Sequence, residues 1–118
     1  MSGPPGYLFS DQVTIIHPST STDEYGNDQL DYGATATEEI SSARLEPSIL
    51  SGGSSEMERD RRTLIGAWNL YLPTSASIDG HDRIRHGDNM FDVVGPPALM
   101  KTPRGPHHWY ATLRHISG

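Results

Sequence analysis

One stretch limits the fold more than any other: Arg62-Thr63-Leu64-Ile65-Gly66-Ala67-Trp68-Asn69-Leu70-Tyr71-Leu72-Pro73. Leu64, Trp68, Leu70 and Leu72 share one parity; Thr63, Asn69 and Tyr71 fall on the other, with Ile65 and Ala67. A strand turns successive side chains to opposite faces, so this pattern predicts one apolar and one mixed face. Gly66 inside the run, Pro73 at its end and the aromatic and branched residues argue against a helix. The stretch is therefore expected to be the longest core strand, with Trp68 as its largest buried group. The remaining apolar runs are too short to make a core unless they pair around it.

Those runs follow in order. A Gly- and Pro-rich start, Met1–Ser10, predicts a flexible arm over residues 1–11, ahead of a single barrel domain over 12–118. It lacks the basic and apolar regions of a signal peptide. Gln12–His17 reads as a short strand with Val13 and Ile15 inward, ended by Pro18. Ser19–Asp28 is turn chemistry, with the return beginning near Asp31-Tyr32. Glu39–Glu46 is a strand with Ala43 and Leu45 inward and Pro47 as its stop. His81–His86 and Met90–Val94 form a hairpin with Ile84, Phe91 and Val93 inward, broken by Gly95-Pro96-Pro97. Leu99 and Met100 pack locally. His107–Ile116 is the last strand, with Trp109, Ala111 and Leu113 on one face.

About six short strands and no convincing helix predict an all-β domain, a small antiparallel barrel with hidden edges. Its core is expected to be modest, since 34% of the 118 residues are hydrophobic. Between Pro47 and Arg62 the pattern lapses. Ser51-Gly52-Gly53-Ser54-Ser55 is linker-like, and Glu56-Met57-Glu58-Arg59-Asp60-Arg61 is charged with little to bury. This predicts one long loop inserted between two core strands, and loops of that length are uncommon unless functional or disordered.

Candidate chemistry is thin. The six histidines show no metal-ligand spacing; His107 and His108, adjacent in a strand, are expected to face opposite sides. There is no Gly-x-Ser-x-Gly elbow, no phosphate loop and no cysteine. No enzyme activity and no cofactor are expected. A net charge of −6 opposes tight nucleic-acid binding, and no apolar run approaches the roughly 20 residues that span a bilayer. What remains is a protein that works through its surfaces.

Several motifs, taken in order, match one family. They are Val13-Thr14-Ile15-Ile16, Thr22-Asp23-Glu24-Tyr25-Gly26-Asn27, Ala43-Arg44-Leu45-Glu46-Pro47 and Trp68-Asn69-Leu70-Tyr71-Leu72-Pro73. Asp82-Arg83-Ile84, Phe91-Asp92-Val93 with Gly95-Pro96, and Pro103-Arg104-Gly105 before His107-His108 complete the set. On these residues the chain resembles the phage head-tail joining proteins, the head closure or head-to-tail stopper proteins of long-tailed phages, especially those of actinobacteriophages. The resemblance implies a virion structural protein: a small barrel with a long loop, assembled in the host cytoplasm into a neck ring of roughly six to twelve copies. The implied partners are further copies of itself, a portal or adaptor ring on the head side, tail terminator or tail tube proteins on the other, and packaged double-stranded DNA, touched loosely; no membrane is involved. Residues 47–62 would match the family's loop toward the channel, closing it after packaging. A tail-side ring protein and a stand-alone small-barrel binding module are the alternatives.

Overall fold

The computed structural model describes residues 9–48 and 67–117. These form eight strands: β1 (Asp11–His17), β2 (Ser19–Thr22), β3 (Asp28–Asp31), β4 (Thr37–Pro47), β5 (Ala67–Leu72), β6 (Arg83–His86), β7 (Asn89–Thr102) and β8 (Gly105–Ser117). Six close into an antiparallel barrel in the order β1-β4-β5-β8-β7-β6, while β2 and β3 pair only with each other. The described fold is all-β, with a small closed barrel as the sequence predicts. Leu64, Ile65 and the rest of the long stretch before Ala67 lie outside the described residues, as do Met1–Leu8 of the expected arm. Phe9, at that arm's end, is buried.

Alternation does the work. Val13 and Ile15 on β1, Ala43 on β4, Leu70 and Leu72 on β5, Ile84 on β6, Phe91 and Val93 on β7, and Ala111 and Leu113 on β8 fill the interior. Leu45, Trp68 and Trp109 pack against this cluster from partly buried positions. Trp68 is thus only partly buried, and the fully buried groups of β5 are Leu70 and Leu72; nor is this the longest core strand, since β7 runs 14 residues and β8 13. The indole sits edge-on to Phe91, ring centroids 5.7 Å apart, at the end of the barrel where β5 begins, too far out for full enclosure.

Strand directions define two ends. β1 runs up to His17, β5 up to Leu72 and β7 up to Thr102; β4, β6 and β8 run down. At the lower end β4 leaves at Pro47, opposite Trp68 in register, and β5 enters at Ala67, pinned by Ser48 N–H donating to Ala67 O (2.9 Å). At the upper end the connector from Pro73 to Asp82 drops Ala76 and Ile78 into the core, closing the mouth.

Two hairpins rise from the upper end. The first, β2–β3, was expected only as turn chemistry. Asp23 Oδ1 accepts the N–H groups of Tyr25 and Asn27 (2.9 and 2.8 Å), and Gly26 takes φ +83°, so the turn is tight enough for its flanks to pair as strands. The second is the upper half of β7–β8. Above Trp109, β8 has lost β5, whose last pair is Leu72 with Trp109, and β6 ends against Asp92. Met100 to His108 is therefore a two-stranded arm.

β7 does not break at Gly95-Pro96-Pro97. The ladder jumps from Val94–Thr112 to Ala98–Tyr110, and Gly95 at φ +73° makes the bend. A bulge absorbs three residues that a regular strand could not keep, including two prolines without N–H donors.

Candidate functional site

The upper end gathers the polar side chains that the sequence left scattered. His17 continues the inward parity of Val13 and Ile15, but it stands at the barrel mouth. Glu39 has the inward parity of β4 and reaches the same point. His17 Nε2 lies 3.1 Å from Glu39 Oε1, and Nδ1 lies 3.0 Å from Asp82 Oδ2. Asp82, 4% exposed, also accepts the N–H of Asp79 (2.8 Å), while Glu39 Oε2 accepts that of Ser77 (3.3 Å). One imidazole thus ties β1, β4 and the capping connector together. Burial lowers the affinity of His17 for its proton, but the two carboxylates outweigh it and hold the pKa above the ordinary value. Burial pushes the Asp82 carboxyl up, and His17 offsets this only in part. In the sequence only the inward parity of His17, shared with Val13 and Ile15, marks this cluster. Its members are separated along the chain by two crossings of the barrel, and only closure unites them.

Beside it Asp92 pairs with Arg83 (3.0 Å) and Arg114 (3.5 Å), and the Arg83 guanidinium stacks over Tyr32, 3.9 Å from the ring centroid. Tyr32 in turn donates to His81 O (2.5 Å), fastening the root of the β2–β3 hairpin to the capping connector. These residues line a shallow cavity of about 290 Å³. Both of its arginines are already engaged by the one Asp92 carboxylate. Among the described residues no group of three or more His, Asp or Glu is arranged to hold a metal ion.

On the outer face of the arm, His107 and His108 do not point to opposite sides. Their Nδ1 atoms are 2.8 Å apart. The ladder passes from Met100–His108 to Lys101–Pro106, so His107 is the extra residue of a bulge and its side chain swings toward its neighbour. One nitrogen of the pair must carry the hydrogen while the other accepts it. Burial, then the neighbouring His107, lowers the His108 pKa. Tyr71 and Tyr110 continue the strip, with centroids 5.4 Å apart. Tyr110 donates to Asn69 (2.9 Å) and Tyr71 to Glu46 (3.3 Å).

The expected channel loop, Ser51 to Arg61, lies outside the described residues. Its two anchors are described: Pro47 and Ala67, at the lower end, opposite both hairpins.

No protein-family model matches the chain, and no curated protein matches it in sequence. Solved structures do. A chain of the native gene transfer agent virion particle is similar over 91% of this chain and 94% of its own length, with a TM-score of 0.58 and 14% identity. Protein SF1141 from Shigella flexneri 2a, solved in solution, is similar over 89% and 90%, with a TM-score of 0.55 and 17% identity. At these identities the likeness is one of fold, and it spans the barrel as a whole.

Proposed function

We propose that the chain is a virion structural protein, the head-to-tail stopper of a long-tailed phage. It forms a closed ring at the neck, between the head-side portal or adaptor ring and the tail, retains the packaged genome and presents a docking surface for the tail. It catalyses no reaction and needs no cofactor. The observation that carries this reading is the near full-length likeness of the barrel to a chain of a gene transfer agent virion, a phage-like particle. The family motifs of the sequence point the same way.

The geometry supports a division of labour. The β4 and β5 ends hold the roots of residues 49–66 together at one end of the barrel, so a segment inserted there can work without disturbing the ladder. In the ring, Ser51–Ser55 act as a hinge for Glu56–Arg61, whose mixed charges meet DNA without holding it. Repulsion from Glu56, Glu58 and Asp60 offsets attraction by Arg59 and Arg61.

Two measurements test this. Purified chain incubated with DNA-filled heads and with free tails, then sedimented, is expected on the heads. Recovery on tails alone favours a tail-side ring, and recovery on neither overturns the reading. Deleting residues 51–60 is expected to give heads that assemble but lose DNA; undiminished retention overturns the gating role.

A further inference from the structure

The charges of this chain are sorted between its two hairpins. From Pro18 to Ala43 there are six acidic residues and no Lys, Arg or His; from Val93 to the last residue there are Lys, Arg and His but no Asp or Glu. Two of the six acids are spent at home, Glu38 on Arg85 (3.0 Å) and Glu39 on His17. The other four, Asp23, Glu24, Asp28 and Asp31, belong to the β2–β3 hairpin, and none has a cationic partner among the described residues. On the β7–β8 arm, Lys101 and Arg104 have no acidic partner among the described residues.

The hairpins cannot satisfy each other within one molecule. β2–β3 grows from the β1/β4 junction and the arm from the β8/β7 junction. In the closed order β1-β4-β5-β8-β7-β6 these junctions lie three strands apart, on opposite sides of the barrel and at the same end. Each also carries apolar surface: Tyr25 and Leu30 are exposed on the acidic hairpin, Met100 on the basic arm.

We propose that the acidic β2–β3 hairpin of one copy docks on the basic β7–β8 arm of the next. Two complementary surfaces on opposite flanks of one subunit make a head-to-tail contact, which closes a ring when the rotation permits. Charge complementarity selects a second copy over DNA. A copy brings four carboxylates to the arm and takes cations to its own hairpin, whereas DNA would leave the acidic hairpin unanswered and meets a chain of net charge −6. The contact deepens the ring reading above, but it is a property of the purified chain and is testable without particles.

The experiment is sedimentation equilibrium of three proteins: the full chain, an arm-reversed variant (Lys101→Glu with Arg104→Glu) and a hairpin-reversed variant (Glu24→Lys with Asp28→Lys), which leaves the Asp23 turn intact. The native chain is expected to self-associate at low salt and dissociate as salt shortens the screening length from about 10 Å at 0.1 M to about 3 Å at 1 M. Each variant alone is expected to associate roughly tenfold more weakly or worse. Mixing the two restores association, because both contacts of an alternating chain are then complementary. All four sites are exposed, so circular dichroism should match the native chain. A native chain that stays monomeric at its highest soluble concentration overturns the proposal, as does a mixture no better associated than its components. Loss of affinity for a defined 30-base-pair duplex in the arm-reversed variant, with self-association unchanged, assigns the arm to DNA instead. Failure to bind heads with self-association intact would overturn the stopper reading and leave this contact standing.

Discussion

Asp82→Asn separates the two roles of a buried carboxylate. At acidic-side pH His17 is protonated and Asp82 accepts a charge-assisted hydrogen bond from Nδ1 at 3.0 Å. Such bonds contribute about 1.5–3 kcal/mol, and His17, with 26% of its side chain exposed, moderates this to about 1–2 kcal/mol. The amide keeps the bond from Asp79 N–H but loses the charge. Once His17 is neutral, the native carboxylate is a buried anion, and the isosteric amide removes that penalty. The sign follows from linkage. The folded His17 pKa is raised, so its contribution is fully present below the ordinary value of 6.5 and disappears as pH rises through the folded value. The Asp82 carboxyl is also raised, so its burial weakens the fold as pH climbs above 3.8. At about 4 °C per kcal/mol for a domain of this size, D82N is expected to melt roughly 4–8 °C below the native chain at about pH 5.5. At about pH 8.5 it should equal or exceed it. Thermal unfolding followed by tryptophan emission gives both values. A difference of the same size and sign at both pH values would refute the argument.

Leu70→Ala, at a site with no exposed surface, is expected to cost about 2–5 kcal/mol in urea unfolding. Trp68→Phe should cost less, because the indole is only partly enclosed and its buried N–H finds no acceptor among the described residues. Gly95→Ala places a methyl in open space, so its whole cost is the left-handed backbone, about 1–2 kcal/mol by the same measurement. A larger loss would mean that the bulge carries more than a bend. His17→Gln should remove most of the fall in melting temperature between about pH 6 and pH 8.

The barrel was legible because its signals are local. Parity in Val13–Ile15, Leu70–Leu72, Phe91–Val93 and Ala111–Leu113 marks one inward face per strand, and Pro18, Pro47 and Pro73 mark the ends. Features that depend on two strands at once were not legible. Gly95-Pro96-Pro97 reads as a stop along one strand, but opposite β8 it is a bulge. His107 and His108 face apart in a regular strand, and one register shift turns them together. Ser19–Thr22 and Asp28–Asp31 have no apolar alternation, since their sheet covers no core, so only the turn between them was visible. The His17–Glu39–Asp82 cluster is the extreme case. A histidine before a proline, a glutamate in an acidic pair and an aspartate after a histidine are each unremarkable until the cylinder closes. A weak hint did exist: His17 keeps the inward parity of Val13 and Ile15, where an unpaired polar group would be costly.

The single hydrogen bond from Ser48 to Ala67 has a consequence for how such a chain changes over time. It fastens the two ends of whatever lies between, so the host scaffold is indifferent to the length and content of the insert. Lengthening an already long segment costs only about 0.6 kcal/mol per doubling. That interval can therefore be rewritten or extended while the staves of the barrel stay as they are.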